Sequence, residues 1–273
     1  MSLTIGAKAE LPVFLDQLEQ ILSTLPQVSW CQRQTHYDLI LNLTVSGLQL
    51  EDHRDKQKTV VRVDFVEGYH AHRRQYGGGR QQPMARAVLL NRHKEQHILD
   101  ATAGLGRDGF VMAHLGARVT MIERHPLIFA LLKDGLGRAK LNTETAETAE
   151  RISLHQADSL RYCQQLQQAE TKDHPAIIYM DPMYPERKKS ALVKKDMRLL
   201  KDLLSMPGLD WNSVSDPQAA SHALTEAWFE QLMACCTQRM VVKRPKGAAA
   251  LVTSPKPDAE ITSKNTRYDI YLT

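Results

Sequence analysis

A carboxylate, a stiff turn and an aromatic ring stand together in Asp181-Pro182-Met183-Tyr184-Pro185, directly after the apolar run Ala176 to Met180. An amino group on a base ring is a poor nucleophile, because its lone pair is delocalised into the ring. A hydrogen-bond acceptor that engages the amine orients it and favours attack. Asp181 and the Pro182 carbonyl are the candidate acceptors, and Tyr184 is the candidate surface on which a base would stack. Pro182 fixes φ and so holds the acceptor geometry. The plain alternative is a strand-to-loop turn with a buried tyrosine. Asp181 and Tyr184 are therefore the candidate catalytic pair.

Three earlier apolar runs also end in polar residues. The first ends in Asp100-Ala-Thr-Ala-Gly104-Leu-Gly106-Arg107-Asp108-Gly109. Gly104, Gly106 and Gly109 keep the G-x-G-x-x-G spacing, which permits a tight turn and close approach of a ligand to the backbone. Arg107 and Asp108 place a cation and an anion at its mouth. That suits a ligand carrying both a carboxylate and an ammonium, such as a methionine moiety. Asp108 near a helix start is the structural alternative. Glu123-Arg124 ends the second run, about twenty residues past the glycines, where an acid accepts hydrogen bonds from ribose hydroxyls. Arg124 could lie against an adenine face, or the two could form an exposed ion pair. Asp158-Ser159 ends the third run. Asp158 could accept from an adenine amino group or cap the helix beginning near Leu160, and the two roles are compatible.

The elements that must position these residues follow from periodicity. After about residue 97, short apolar runs alternate with helical patterns. The runs are Ile98-Leu99, Val119 to Ile122, Ile152 to Leu154, Ala176 to Met180 and Met240 to Val242. Between them lie Phe110 to Leu115, Leu127 to Ala139, Leu160 to Gln168, Ala191 to Leu204 and Ala223 to Cys236. That alternation predicts an α/β fold, a parallel sheet covered by helices. Ligands then bind beyond the carboxyl ends of the strands, where all four polar endings fall. Ala259 to Ser263 and Arg267 to Leu272 predict an antiparallel hairpin closing the sheet. Residues 1–75 read as a small α+β subdomain, with a helix over Leu11 to Leu25 and strands at Trp30, Tyr37 to Val45 and Thr59 to Val66. The boundary falls near Tyr76-Gly-Gly-Gly-Arg80, leaving 76–273 as the larger domain.

Charge narrows the partner. The net charge is only +4, but Tyr69 to Arg92 carries +5, Glu186 to Lys201 carries +5 and Arg239 to Lys246 carries +4. If these windows converge, they form a basic surface that attracts phosphates. Otherwise they are three separate solvated faces. Arg80, Lys188, Lys189, Lys194, Lys195 and Lys243 are the expected phosphate contacts around the base pocket. Lys194 and Lys195 have a second reading, as a solvated helix face.

A chain of 273 residues with 42% hydrophobic and 24% charged content excludes disorder and collagen-like repeats for the whole chain. No apolar run spans a membrane, and the first residues lack a charged-then-apolar signal layout. The four cysteines form no C-x-x-C pair, and His70 and His72 have no carboxylate or thiol neighbour. No metal site is expected. A reducing, cytoplasmic setting is expected. His114, His125 and His174 read as surface or cap residues.

The set DATAGLGRDG, ERHP, ADSL and DPMYP resembles the class I S-adenosylmethionine-dependent methyltransferases. DPMYP resembles their (D/N/S)-P-P-(Y/F/W) signature for amino-group methylation, departing from it at Met183. LDATAGLGRDGF, DPMYPERKKSALVKKDMR, VVKRP and RYDIYL are similar to the bacterial small-subunit ribosomal RNA guanine-N2 methyltransferase family J. The resemblance implies a seven-stranded Rossmann-like methyltransferase sheet. It implies S-adenosyl-L-methionine as cofactor and transfer to N2 of one guanine in 16S rRNA, free or in the 30S subunit. It carries cofactor contacts to Arg107, Asp108, Glu123, Arg124, Asp158, Ser159 and Asp181, to which the loop geometry adds Gly104. A methyltransferase for another exocyclic amine, such as DNA adenine, and a non-catalytic RNA-associated nucleotide-binding module are the rival readings. A dehydrogenase is a weaker one.

Overall fold

The computed structural model describes residues 4–25, 28–32, 36–55, 58–67, 79–169, 173–182, 199, 202–203 and 222–273. The N-terminal part builds a five-stranded sheet from β1 (Ile5–Ala9), β2 (Val28–Trp30), β3 (Leu39–Thr44), β4 (Gly47–Asp52) and β5 (Thr59–Arg62), in the order β2-β1-β3-β4-β5. Only α1 (Leu15–Leu22) forms within the expected helix. Pro12 directs its approach into a short 3-10 turn, and Leu18 is the residue α1 buries. β1 and β4 were not apparent from periodicity.

The second sheet contains β6 (His97–Asp100), β7 (Arg118–Glu123), β8 (Ile152–Gln156), β9 (Ile177–Met180), β10 (Arg239–Pro245), β11 (Ala259–Thr262) and β12 (Thr266–Leu272). Its order is β11-β12-β10-β9-β6-β7-β8. β6 to β10 are parallel, and β12 runs antiparallel to both β10 and β11. The expected hairpin therefore closes one edge. The helices are α2 (Pro83–Ala87), α3 (Arg107–His114), α4 (Pro126–Leu141), α5 (Ala146–Glu150), α6 (Ser159–Gln168) and α7 (His222–Met233). Of the helix expected over Ala191 to Leu204, Leu199, Asp202 and Leu203 are described and helical. The rest lies outside the described residues.

Successive side chains of the central strands enter opposite layers, as the pleat requires. Ile98, Ile177, Tyr179 and Val241 join the layer containing α3 and α4. Leu99, Ile178, Met180, Met240 and Val242 join the layer containing Trp228 and Phe229 of α7. The first layer is continuous with the core of the N-terminal sheet. Phe65 stacks on Phe110 of α3 at 4.1 Å between ring centroids, 7° from parallel. On α4, Asp134 accepts from the Leu48 amide at 3.1 Å, and Arg138 donates to the Val63 carbonyl. Residues on both sides of the 75/76 division thus pack as neighbours. No described helix is long and apolar enough to cross a membrane.

Candidate active site

Chain order reverses at β6, whose neighbours are β9 and β7, and a crevice at this point is where open α/β sheets bind ligands. The loop from Ala101 into α3 lies there. Gly104 and Gly106 have φ of +54° and +71°, the left-handed region that disfavours side chains. The glycines then divide by role. A Cβ on Gly106 would come within 2.6 Å of Leu132 Cδ1 and 3.1 Å of Phe65 Cζ. One on Gly109 would run into the Met121 side chain and stand 3.0 Å from Asp100 Oδ2. At Gly104 the nearest atom is the Thr102 carbonyl oxygen at 4.0 Å, so the backbone there is open to a ligand.

Glu123, the last residue of β7, is buried beneath this loop. Its Oε2 accepts from the Gly104 amide at 2.8 Å and its Oε1 from the His125 amide at 2.7 Å. Burial pushes its carboxyl pKa up, while those two amides pull it down. Asp158 caps α6, accepting from the Leu160 and Arg161 amides at 3.1 and 3.2 Å. The hydroxyl of Ser159 donates to the Ala101 carbonyl, fixing the base of the loop.

Asp181 stands just past β9. Its amide donates to Thr102 Oγ1 at 2.7 Å, which ties the turn after β9 to the glycine loop. Lys243 of β10 lies between two acids: its Nζ donates to Asp181 Oδ2 at 2.7 Å and to Asp108 Oδ2 at 2.6 Å. The Tyr179 hydroxyl donates to the same Asp108 oxygen at 2.7 Å. Burial opposes the charge on Lys243, yet the two carboxylates outweigh it and hold its pKa above the ordinary lysine range. Burial keeps the Tyr179 hydroxyl protonated, and the charges of Asp108 and Asp181 add to that. Asp100, 2% exposed, is pushed up to about 8 by burial; the Asp108 and Asp181 charges add to this, while the Thr102 amide and Lys243 oppose it. The site therefore offers an open glycine backbone, a helix N-terminus, a buried acid beneath the loop and an acid-lysine-acid bridge. Together these fit a ligand with amino-acid and nucleoside ends.

Residues 25–273 match the SAM-dependent methyltransferase family model. The chain is 45% identical to the ribosomal RNA small subunit methyltransferase J of Nitrosococcus oceani over 233 residues, covering 85% of this chain and 84% of that protein. It is 46% identical to the protein of the same name from Ectopseudomonas mendocina, covering 86% and 82%. The chain belongs to this methyltransferase family. A crystal structure of a SAM-dependent methyltransferase from Neisseria gonorrhoeae superposes with a TM-score of 0.71 at 30% identity, covering 98% of this chain and 95% of that one. The cofactor of the methyltransferase is S-adenosylmethionine, and its sheet is the Rossmann-like sheet of this class.

Of the expected cofactor contacts, Gly104, Arg107, Asp108, Glu123, Arg124, Asp158, Ser159 and Asp181 all lie at the strand ends or the adjoining helix starts of this one sheet edge. Two of the residues expected as phosphate contacts are described with their side-chain partners. The Lys243 ammonium is turned inward between Asp108 and Asp181. Arg80 donates to the Leu115 carbonyl at 2.8 Å. Leu115 follows α3, which runs back to the start of β7, so Arg80 sits at the sheet edge opposite the site. Arg92, from the same basic window, lies near Arg239 at the start of β10, where burial and then Arg92 lower the Arg239 pKa. The first and third windows thus spread over both edges. Tyr184, Lys188, Lys189, Lys194 and Lys195 lie outside the described residues.

Asp100, Thr102 and Tyr179 were missed from sequence. Both acid and phenol carry a visible signal: Asp100 ends an apolar run and Tyr179 is a polar group inside one. His125 is buried, contrary to its surface reading, and burial lowers its pKa to about 4. It precedes α4 at the cap position, as the other half of that reading expected. Among the described residues, no cluster of three or more His, Cys, Asp or Glu side chains is arranged to hold a metal ion.

Proposed function

We propose that this methyltransferase acts in the cytoplasm on the exocyclic N2 amine of one guanine in 16S ribosomal RNA, free or within the 30S subunit. The observation that carries the reading is the bond from the Asp181 amide to Thr102, which sets the D-P-x-Y acceptor against the glycine loop. The names of the relatives supply the substrate class. The likeness of DPMYP to the amino-methylating signature supplies the attacking group.

S-adenosylmethionine, when bound, supplies a methyl group already activated by a positive sulfur, so the protein's task is chiefly positioning. Gly104, Arg107 and Asp108 would hold its amino-acid end, Glu123 and Arg124 its ribose and adenine, and Asp158 and Ser159 the far side of the adenine pocket. Asp181 and the Pro182 carbonyl accept hydrogen bonds from the guanine amine, and Tyr184 stacks on the ring. The amine nitrogen held by Asp181 would accept that methyl group, the sulfonium being left as a neutral thioether, and would release one proton to solvent. Lys188, Lys189, Lys194 and Lys195, seven to fourteen residues past Asp181 in sequence, would hold the RNA backbone as point charges.

Purified protein incubated with labelled cofactor and either 16S rRNA, 30S subunits or duplex DNA tests the substrate. Transfer to rRNA or 30S and not to DNA is expected. Transfer to DNA adenine would replace this reading with its rival, and cofactor binding without transfer to any of the three would favour a non-catalytic module.

A further inference from the structure

Lys243 has no place in the description above beyond its ion pairs, and its position is specific. β9 and β10 are parallel with Val242 level with Met180, so the next rung sets Lys243 beside Asp181. Val241 and Tyr179, one rung earlier for their face, both point into the layer that contains α3. Lys243 shares that face and meets Asp108, the second residue of α3, as well as Asp181. Its side chain is 26% exposed, against 9% for that of Asp108 and 40% for that of Asp181. It is thus a mostly enclosed cation with two carboxylates within 2.7 Å, one on the cofactor loop and one on the catalytic turn.

We infer that Lys243 is a positioning residue for methyl transfer: by bridging Asp108 and Asp181 it aims the Asp181 carboxylate at the attacking amine and locks the catalytic turn to the cofactor loop. The inference rests on the reading of Asp181 as the amine's acceptor. It also replaces the phosphate-contact role expected for Lys243 from sequence.

Among the described residues, the titratable and charged groups around this centre include Lys243 from β10, Asp108 from α3, Asp100 at the end of β6, Tyr179 from β9 and Tyr268 from β12, the strand partner of Lys243. Four of these, Asp100, Asp108, Tyr179 and Tyr268, are acids or potential anions. Lys243 is the cation among them. Asp100 already holds its proton at neutral pH; without Lys243, Asp108 and Asp181 would face each other with no cation between them, and their carboxyl pKa values would rise. A protonated Asp181 carboxyl is a poorer acceptor and is free to turn away from the amine.

The test uses K243M, K243R and D181A in the full chain, with folding checked by thermal melting. K243M should lower kcat on 16S rRNA about ten- to a hundred-fold, the effect of losing a charge-assisted hydrogen bond. Its RNA affinity and salt dependence, measured by filter binding, should stay unchanged. The acid limb of its pH–rate profile should move upward by about one unit or more, since removing a cation raises a neighbouring carboxylate's pKa. K243R keeps the charge, so its acid limb should stay at the wild-type position whatever its kcat. If K243M does not fold, K243Q is the replacement; it lacks the charge and should show the same shift. A K243M or K243Q enzyme with wild-type kcat and pH profile would overturn the inference. So would a fall in RNA affinity with the salt slope reduced by about one, which would mark Lys243 as a phosphate ligand. D181A separates the levels: if it is inactive while K243M is unaltered, only the bridge role fails. If D181A retains near-normal turnover, the reading of the catalytic turn fails and the bridge role with it.

Discussion

Glu123 is asked to do two things at the scale of a residue. It holds the Gly104 amide from below, and in the proposed function it binds the cofactor ribose. Glu123→Ala should therefore weaken S-adenosylmethionine binding by roughly 2–4 kcal/mol, the cost of a pair of charge-assisted hydrogen bonds. Calorimetry measures this directly, and unchanged affinity would remove Glu123 from the site. Asp100 gives a pH signature. Its folded pKa of about 8 lies above the ordinary carboxylate value, so the folded state keeps a proton that the unfolded chain loses near pH 4. Asp100's contribution to stability is full below about pH 4, declines as pH rises to about 8, and is level above that. Asp100→Asn should flatten that decline. Urea unfolding at several pH values between about 5 and 9 checks it, and identical slopes for both proteins would contradict the assignment. Much of this chemistry was legible in the sequence, because strand-end acids are conspicuous after apolar runs. The ion pairs of Lys243 with Asp108 and Asp181 were not legible, because charge counting along the chain treats every lysine in a basic window alike. Only the β9–β10 register shows that this one falls opposite Asp181.

Among elements, the glycine loop separates packing from ligand approach. Gly104→Ala meets no clash, so it should cost about 1 kcal/mol for its positive φ yet sharply weaken cofactor binding. Gly106→Ala carries the same φ penalty and also a collision with Leu132 and Phe65. It should lose about 2–4 kcal/mol of stability in total. Denaturant midpoints combined with calorimetry distinguish them. Equal stability losses, or an unaffected cofactor affinity in Gly104→Ala, would contradict this division. The five parallel strands, the hairpin and most helices were legible, since apolar runs of two to five residues flanked by helical periodicity leave little choice of element. β1 and β4 were not. Ile5–Ala9 is mostly small residues, and Gly47–Asp52 begins at a glycine and ends in acids. Their strand character comes from pairing on both sides of each, which local propensity does not encode.

For the molecule as a whole, the charge pattern and the shared core set the terms. The Glu186 to Lys201 window is the basic segment that follows the catalytic turn in sequence, whereas Arg80, Arg92 and Arg239 lie toward the far edge of the sheet. RNA affinity should fall steeply with salt. Reversing Lys194 and Lys195 to glutamate should weaken RNA binding and reduce that salt slope while sparing cofactor affinity. An unaffected double variant would dissociate this segment from the RNA. The 1–75 and 76–273 division was drawn from composition, which cannot reveal that Phe65, Val63 and Leu48 pack against α3 and α4. We propose that the N-terminal unit serves as the support beneath the glycine loop. The most direct test of the central claim is labelled methyl transfer to 16S rRNA, followed by digestion to nucleosides and chromatographic identification of the labelled product. The account predicts N2-methylguanosine from the wild-type chain and no labelled nucleoside from Asp181→Ala. Label in a methyladenosine or in the ribose, or undiminished N2-methylguanosine from Asp181→Ala, would contradict it.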